Sequence, residues 1–139
     1  MQTLVTQKKV TVYAFVIMPN HIHLLWVIRP EYKPSDVQRD FLKWTARQLL
    51  NELKTNEPHK LSEFKVEAGD RTYQIWERNA LGVQVYTDEV MFQKMKYIHE
   101  NPIVEKWKLA LMPEEYFYSS ASFYFNGDKR WEFLTHVRD

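Results

Sequence analysis

The sequence predicts an α/β chain of the α+β type, and two observations carry this prediction. Two consecutive apolar runs, at 10–17 and 21–28, are rich in β-branched and aromatic residues and are separated by a short turn sequence, as in a strand hairpin. Two longer segments, at 34–54 and 87–101, carry the apolar periodicity and the end signals of amphipathic helices. An antiparallel strand pair combined with helices is typical of the α+β class.

Size and composition favour a single domain, 1–139. The chain has 139 residues, of which 45% are hydrophobic and 15% aromatic, so it can form a packed core. The absence of cysteine excludes disulfides and thiolate metal sites. The apolar runs are too short to span a bilayer and no secretory signal is visible, so we expect a cytoplasmic protein without a membrane partner. A net charge of +1 argues against a protein that depends on nonspecific attraction to long duplex DNA.

The two apolar runs are predicted to pair directly with each other. The first reads VTVYAFVI and the second HIHLLWVI. MPN between them has turn chemistry, because proline fixes φ and asparagine tolerates left-handed backbone. Since both runs are apolar at nearly every position, we expect strands that are buried on both faces or central in a sheet.

The first helix is predicted over 34–54, PSDVQRDFLKWTARQLLNELK. Ser35 and Gln38 have the spacing of a capping box, and Asp36 lies where the helix dipole favours negative charge. The helix carries an apolar stripe made of Val37, Phe41, Trp44, Leu49 and Leu53.

The same helix also carries a basic ridge. Arg39, Lys43 and Arg47 recur at every fourth position and therefore share one side of the helix. Asp36 and Asp40 partly offset their charge. The ridge is either a solvated helix face or a surface that follows phosphate groups, and the sequence favours neither interpretation.

The middle of the chain contains a polar segment followed by a strand-like segment. Residues 55–72 are polar and predict a surface segment with one or two helical turns. Strand-like residues follow at 73–87, where Gly82 predicts a bend or a bulge.

The second helix has clear signals at both ends. Thr87 or Asp88 is the predicted N-cap, acidic residues occupy the first turn, and Pro102 follows the predicted end. The tail from Pro113 is rich in aromatic residues and serine, and we expect it to pack back on the domain.

Two histidines stand one residue apart at the start of the second apolar run. Alternate side chains of a strand point to the same face, so His21 and His23 project together, with Cα atoms about 6–7 Å apart. This spacing suits two ligands of one metal ion. The alternative is structural, with one histidine hydrogen-bonded in the core and the other exposed.

The second helix places three polar residues along one side. Tyr97 and Asn101 are four residues apart, and Lys94 precedes Tyr97 by one turn. A phenol can act as a covalent nucleophile, an amide oxygen as a metal ligand, and a lysine as a cation for phosphate charge. The alternative is a tyrosine that lies at the helix surface without a chemical role.

Three motifs occur in a fixed order along the chain: MPNHIH, then YIHENP, then YSSA. With their surroundings, from about residue 10 to residue 124, they resemble the REP-associated tyrosine transposases. This family is related to the single-tyrosine insertion-sequence transposases and falls within the HUH endonuclease class. A lone His-x-His pair is a weak signal, whereas the three motifs together are specific.

The resemblance implies a fold, a reaction and a role for several residues. The implied fold is a ferredoxin-like palm, an antiparallel sheet covered by helices. His21 and His23 match the histidines that hold Mg²⁺ or Mn²⁺, Asn101 matches the position of a third polar ligand, and Tyr97 matches the nucleophile. The implied reaction is cleavage of single-stranded DNA near a hairpin, which forms a 5′-phosphotyrosine and frees a 3′-hydroxyl.

The N-terminus departs from the family pattern. Relatives carry a strand and a helix before VYAFVIMPNHIH, whereas about ten residues precede this segment here. MQTLVTQKKVTV resembles the end of that helix running into the next strand. We therefore expect that the first strand and most of the first helix are missing, or that a partner subunit supplies the strand.

Two other functions compete with the transposase. The first is a catalytically inactive descendant that binds hairpin DNA. The second is a small metallohydrolase built on His21 and His23, which is disfavoured because no third histidine or carboxylate lies at ligand spacing. The sequence leaves open whether the chain is a monomer or a homodimer, and which hairpin it recognises.

Overall fold

In the computed structural model, residues 1–78 and 80–139 are described, and the chain divides into two units. The hairpin unit consists of Met1–Tyr32 and Gln84–Asp139, and the long-helix unit consists of Lys33–Val83. The expectation of one domain for the whole chain stays a prediction.

The predicted α+β class is confirmed by the elements. In chain order the helices and strands are α1 (Gln2–Thr6), β1 (Val10–Ile17), β2 (Ile22–Ile28), α2 (Pro34–Asn56), β3 (Lys65–Ala68), β4 (Arg71–Tyr73), α3 (Asp88–Glu100) and α4 (Ala121–Asn126). Short 3₁₀ helices occur at Pro58–Phe64, Asn101–Ile103 and Pro113–Glu115. Within the described residues, β1 pairs with β2 and β3 with β4, giving two antiparallel two-stranded sheets.

The predicted hairpin is confirmed, with Pro19 and Asn20 at the centre of its turn. The turn closes through a 2.8 Å hydrogen bond from the Met18 N–H to the His21 carbonyl oxygen. From this turn the register pairs Val16 with His23. A bulge at Tyr13 interrupts the pairing between Val12 and Ala14.

Both edges of β1 are occupied, one by β2 and the other by the C-terminal tail. On the tail side, Ile17 N–H donates to the Tyr118 carbonyl at 2.9 Å, and Thr135 N–H donates to the Val12 carbonyl at 3.0 Å. Most of β1 is therefore buried, as expected of a central strand, and the tail packs back as predicted. The same expectation is wrong for β2, whose residues are half-buried and in one case exposed.

Helix α3 covers one face of the hairpin. Ala14, Val16 and Met18 form a buried cluster with Ile98 of this helix. Val16 is paired with His23, so the covered face is also the face that presents this histidine. The core contact therefore fixes α3 beside the histidine pair.

Two further local predictions are wrong. The capping box fails because α2 begins at Pro34, with Lys33 as N-cap and without a side-chain cap. Proline suits this first position since its φ is preset and its missing N–H would have no partner there.

The predicted strand over 73–87 is the second error, and Asn79 in this segment lies outside the described residues. Only Tyr73, at the end of β4, is in a strand among the described residues of the segment. Leu81 is 90% exposed and Tyr86 82%. Side-chain type favours a strand, but the described residues after Tyr73 in this segment pair with no strand, so the bend or bulge predicted at Gly82 is also wrong.

The N-terminal residues form helix α1 and lead directly into β1, as the sequence predicts. None of the helices in the described part of the chain has the length and apolar character needed to cross a membrane.

Ser120 joins the tail to β1 and α3 at a fully buried position. Its hydroxyl accepts from the Phe15 N–H at 3.0 Å, donates to the Phe15 carbonyl at 3.1 Å and lies 2.9 Å from His99 Nε2. A hydroxyl has one donor and two acceptor positions, so all three are used when His99 donates from Nε2.

Replacing Ser120 by alanine is expected to destabilise the chain by about 2–4 kcal/mol, because the Phe15 N–H and the His99 ring lose their buried partner. Urea unfolding followed by circular dichroism measures the loss. Ser119→Ala is the matched control, since Ser119 is equally buried and its hydroxyl, among the described residues, accepts from the Ala121 N–H alone. Equal losses in the two variants would contradict the role assigned to Ser120.

Candidate active site

The two histidines lie at the junction of turn and strand. His21 is the last residue of the hairpin turn and His23 is the second residue of β2. Their ring centroids are 4.9 Å apart, with the rings nearly perpendicular. The predicted common orientation of the two imidazoles is thus present.

Both imidazoles are biased towards the neutral form. Partial burial lowers the pKa of His21, and the positive charge of Lys106 lowers it further. Partial burial also lowers the pKa of His23, and His21 adds to the effect. A neutral imidazole offers a nitrogen lone pair, which is the form that binds metal ions.

Helix α3 brings Tyr97 and Asn101 to the histidines. The helix begins at the N-cap Thr87, whose hydroxyl accepts from the Val90 N–H at 3.2 Å, and gives way to a 3₁₀ turn at Asn101–Ile103. The Tyr97 ring centroid lies 5.3 Å from that of His23. Asn101 Nδ2 lies 3.3 Å from His23 Nε2.

Tyr97 and Asn101 differ strongly in exposure. The Tyr97 side chain is 56% exposed, whereas Asn101 is buried at 6%. A polymeric substrate could therefore reach the phenol, while the amide is held in place beside His23. His21, His23, Tyr97 and Asn101 form one cluster, which we call the histidine–tyrosine site.

Three further residues contact this site and were not singled out from the sequence. Asn20 Oδ1 lies 2.7 Å from His21 Nδ1, which holds the ring when Nδ1 carries the proton and leaves Nε2 free. The Trp107 ring lies 5.6 Å from that of His21, and Lys106 Nζ lies 5.0 Å from the Trp107 ring centroid. Adjacency to His21 is a usable signal for Asn20. No local pattern signals Lys106 and Trp107, because the chain after α3 brings them there.

The donor set is compatible with a divalent cation. His21 and His23 each offer a ring nitrogen, and a 180° rotation of the Asn101 amide would turn its oxygen towards His23. Across residues 1–78 and 80–139, no three histidine, cysteine or carboxylate side chains are grouped to hold a metal. The three donors of this site could therefore hold a cation only with substrate or water oxygens in the remaining positions.

Lys94 shares α3 with Tyr97 and is exposed one turn before it. It has no ion-pair partner among the residues that the structure describes. Its position agrees with the predicted side of the helix, next to the exposed phenol.

The basic ridge belongs to the long-helix unit. Arg39, Lys43 and Arg47 line one cavity along α2. Arg39 is engaged by Asp36 at 2.8 Å and by Asp40 at 3.0 Å, so its charge is locally compensated.

His99 takes no part in the site. It is buried on α3, bonds to Ser120 and packs against Tyr124, with the ring centroids 5.3 Å apart and the rings tilted by 45°. Burial lowers the pKa of His99 to about 4 and raises that of Tyr124 to about 12, so both rings are neutral near pH 7. His99 is therefore a packing residue of the core.

Acidification is expected to destabilise the chain through His99. Its folded pKa, about 4, lies below the unfolded value of 6.5, so its contribution is complete above pH 6.5 and is lost as the pH falls towards 4. The loss reaches up to roughly 3 kcal/mol. Urea unfolding at pH 7, 5.5 and 4 measures the free energy of unfolding. Its dependence on pH should be weaker in His99→Gln than in the wild type, and unchanged in the exposed control His59→Gln. Identical pH profiles for the wild type and His99→Gln would refute it.

Residues 1–66 match the family model described as Transposase IS200 like. The matched segment contains His21 and His23, whereas Tyr97 and Asn101 lie beyond it. No curated protein and no solved structure gives a significant match to the chain. Over its first 66 residues the chain is therefore similar to IS200-like transposases, and this match supports a transposase function in the broad sense.

Proposed function

We propose that the chain is a metal-dependent single-stranded DNA endonuclease and strand transferase, a tyrosine transposase of the REP-associated type in the HUH class. The observation that carries the proposal is the meeting of His23, Tyr97 and Asn101, which come from elements far apart in the sequence. A phenol beside two neutral imidazoles and an amide provides a nucleophile and a set of ligands in one place.

His21, His23 and Asn101 would hold the cation, Mg²⁺ or Mn²⁺. When bound, the cation supplies Lewis-acid charge to the scissile phosphate. Two imidazole donors favour Mn²⁺ over Mg²⁺, which prefers oxygen ligands. Asn20 acts as a positioning residue because its contact with His21 Nδ1 leaves Nε2 free for the cation.

Tyr97 would attack the phosphorus atom of the scissile phosphodiester through its Oη. The new bond joins Oη to phosphorus and the bond to the 3′ oxygen breaks, which leaves a 5′-phosphotyrosine and a 3′-hydroxyl. The phenol loses one proton and the leaving oxygen gains one, so the step is balanced. A phenolate is a better leaving group than an alkoxide, and the covalent link can therefore be passed to a second 3′-hydroxyl.

The proposed partner is single-stranded DNA that bears a hairpin. Because the net charge is only +1, the attraction for DNA would come from local groups rather than from the protein as a whole. Lys94 lies one helical turn before Tyr97 on α3 and would contact a phosphate next to the reacting one. Cytoplasmic location stays a prediction.

Covalent trapping tests the proposal. The protein is incubated with Mn²⁺ and a pool of hairpin-bearing single strands labelled at the 3′ end, since the 5′-phosphotyrosine retains the downstream, labelled strand. After nuclease and trypsin digestion, mass spectrometry should find a nucleotide adduct on the peptide YIHENPIVEK, whose only tyrosine is Tyr97. Hairpin binding without an adduct would overturn the proposal in favour of an inactive DNA-binding descendant.

A further inference from the structure

A cavity of about 1000 Å³ lies within the long-helix unit. One wall is a single face of α2, and the other consists of β4 residues with residues 74–78 and Ala80. The volume is at the upper end of the range, about 300–1,000 Å³, that is typical of ligand pockets. The cavity is therefore large enough for a segment of a few nucleotides.

The walls are strongly cationic. Six basic side chains line the cavity, and Glu77 is the only acidic residue among its described lining residues. The six are Arg39, Lys43, Arg47, Lys54, Arg71 and Arg78.

Four of these six cations lie in no ion pair of the described residues, although the charge of Arg78 acts on Asp70. Arg39 is paired with Asp36 and Asp40, and Arg71 is paired with Asp70. The other four have no ion-pair partner in the part of the chain that the structure describes: Lys43, Arg47, Lys54 and Arg78. Their positive charge is thus available to a ligand.

The cavity also contains two half-buried aromatic side chains, Tyr73 and Trp76. Trp76 Nε1 donates to Thr45 Oγ1 at 2.9 Å, and the Thr45 hydroxyl donates in turn to the Phe41 carbonyl at 2.9 Å. This connection fixes the indole against α2. An anchored aromatic ring beside free cations is the combination on which single-stranded nucleic acids stack their bases.

We propose that this cavity binds a single-stranded DNA segment, with phosphates along Lys43 and Arg47 and a base against Trp76. The proposal rests on the proposed function, which supplies single-stranded DNA as the substrate. Lys43 and Arg47 are four residues apart, about 6 Å along the helix axis, so each can meet a different phosphate of an extended strand. An acidic peptide would satisfy the cations as well, but it would make no use of the ring.

Fluorescence anisotropy with a labelled oligo-dT strand tests the charge contacts. The full chain carrying Tyr97→Phe is used in EDTA, so that neither cleavage nor a cation contributes. Lys43→Glu with Arg47→Glu should raise Kd at least tenfold and lower the slope of log Kd against log salt by roughly 1–2. The matched control is Lys33→Glu with Lys65→Glu, which makes the same charge change in the same unit outside the cavity. Equal weakening by both pairs would overturn the proposal.

The aromatic contact is tested in the same assay. Trp76→Leu should raise Kd about fivefold or more. Trp76→Phe keeps a ring and should restore most of the affinity, and Trp44→Leu, on α2 outside the cavity, should have no effect. Circular dichroism verifies that each variant is folded. Polyglutamate is added as a competitor at equal charge concentration. If it displaces the oligonucleotide and Trp76→Leu has no effect on binding, the cavity binds acidic peptides and the proposal is overturned.

Failure of the cavity and failure of the active site give different results. If the trapping assay shows an adduct on Tyr97 while Lys43→Glu with Arg47→Glu binds normally, the cavity proposal is wrong and the enzyme proposal stands. If no adduct forms while the charge and ring variants weaken binding as expected, the cavity binds DNA and the catalytic proposal is wrong.

Discussion

Replacing Tyr97 by phenylalanine is expected to abolish the covalent DNA adduct and to lower strand cleavage at least about 10³-fold. The substitution removes one oxygen atom, the proposed nucleophile. It keeps the ring that lies against His23, so the helix α3 and the histidine pair should remain in place. Cleavage of a hairpin-bearing single strand in Mn²⁺, measured under single-turnover conditions, gives the ratio directly.

Tyr118→Phe is the matched control for this experiment. Tyr118 is 52% exposed, close to the 56% of Tyr97, and its ring contacts those of Tyr116 and Phe117. Loss of its hydroxyl should leave cleavage within about twofold of the wild type, since a surface substitution away from the site has little effect. If Tyr97→Phe cleaved as well as Tyr118→Phe, Tyr97 would not be the nucleophile.

Much of the fold could be predicted because its signals are local. The hairpin follows from two β-branched runs around Pro19 and Asn20, and the start of α3 follows from Thr87 as N-cap. The failed strand at 73–87 has the same kind of local signal. A strand also requires a partner, which is a property of the whole fold and cannot be read from side-chain type.

The C-terminal tail is a second case in which contacts between distant residues could not be predicted from local sequence. The sequence indicates that it packs back, but not where. The structure places Ser120 against Phe15, 105 residues earlier in the chain, where the tail covers an edge of β1. No periodicity in the tail encodes this contact, because it depends on which backbone groups β2 leaves unpaired.

The candidate site could be predicted from the sequence only where its residues are close together along the chain. His21 and His23 are one residue apart and Tyr97 and Asn101 one helical turn apart, so each pair could be oriented by element geometry alone. Their meeting requires α3 to pack on the histidine-bearing face, through Ile98 and the buried cluster of β1. That the two pairs lie together was predicted from the resemblance to a family. Residues outside the three motifs, such as Trp107, were not predicted.

The second prediction with a large expected effect concerns Mn²⁺ binding by the two histidines. His23→Ala removes the residue that contacts Tyr97, Asn101 and His21, and we expect it to weaken Mn²⁺ binding at least about 10²-fold and to lower adduct formation by a similar factor. His21→Ala should do the same, since the remaining donors would be one imidazole and one amide. Electron paramagnetic resonance of free Mn²⁺ in a titration without DNA measures affinity independently of activity.

The pH dependence of Mn²⁺ binding separates ligation from a purely structural role. Burial lowers the pKa of His23 and of His21, so fewer protons compete for the imidazole nitrogens and affinity should persist below pH 6.5 before it falls. His59→Ala, an exposed histidine in the other unit, should alter neither affinity nor its pH profile. Unchanged Mn²⁺ affinity in both His21→Ala and His23→Ala, with the variants folded, would show that the pair only packs beside α3. The site would then lack the cation on which the proposed chemistry depends.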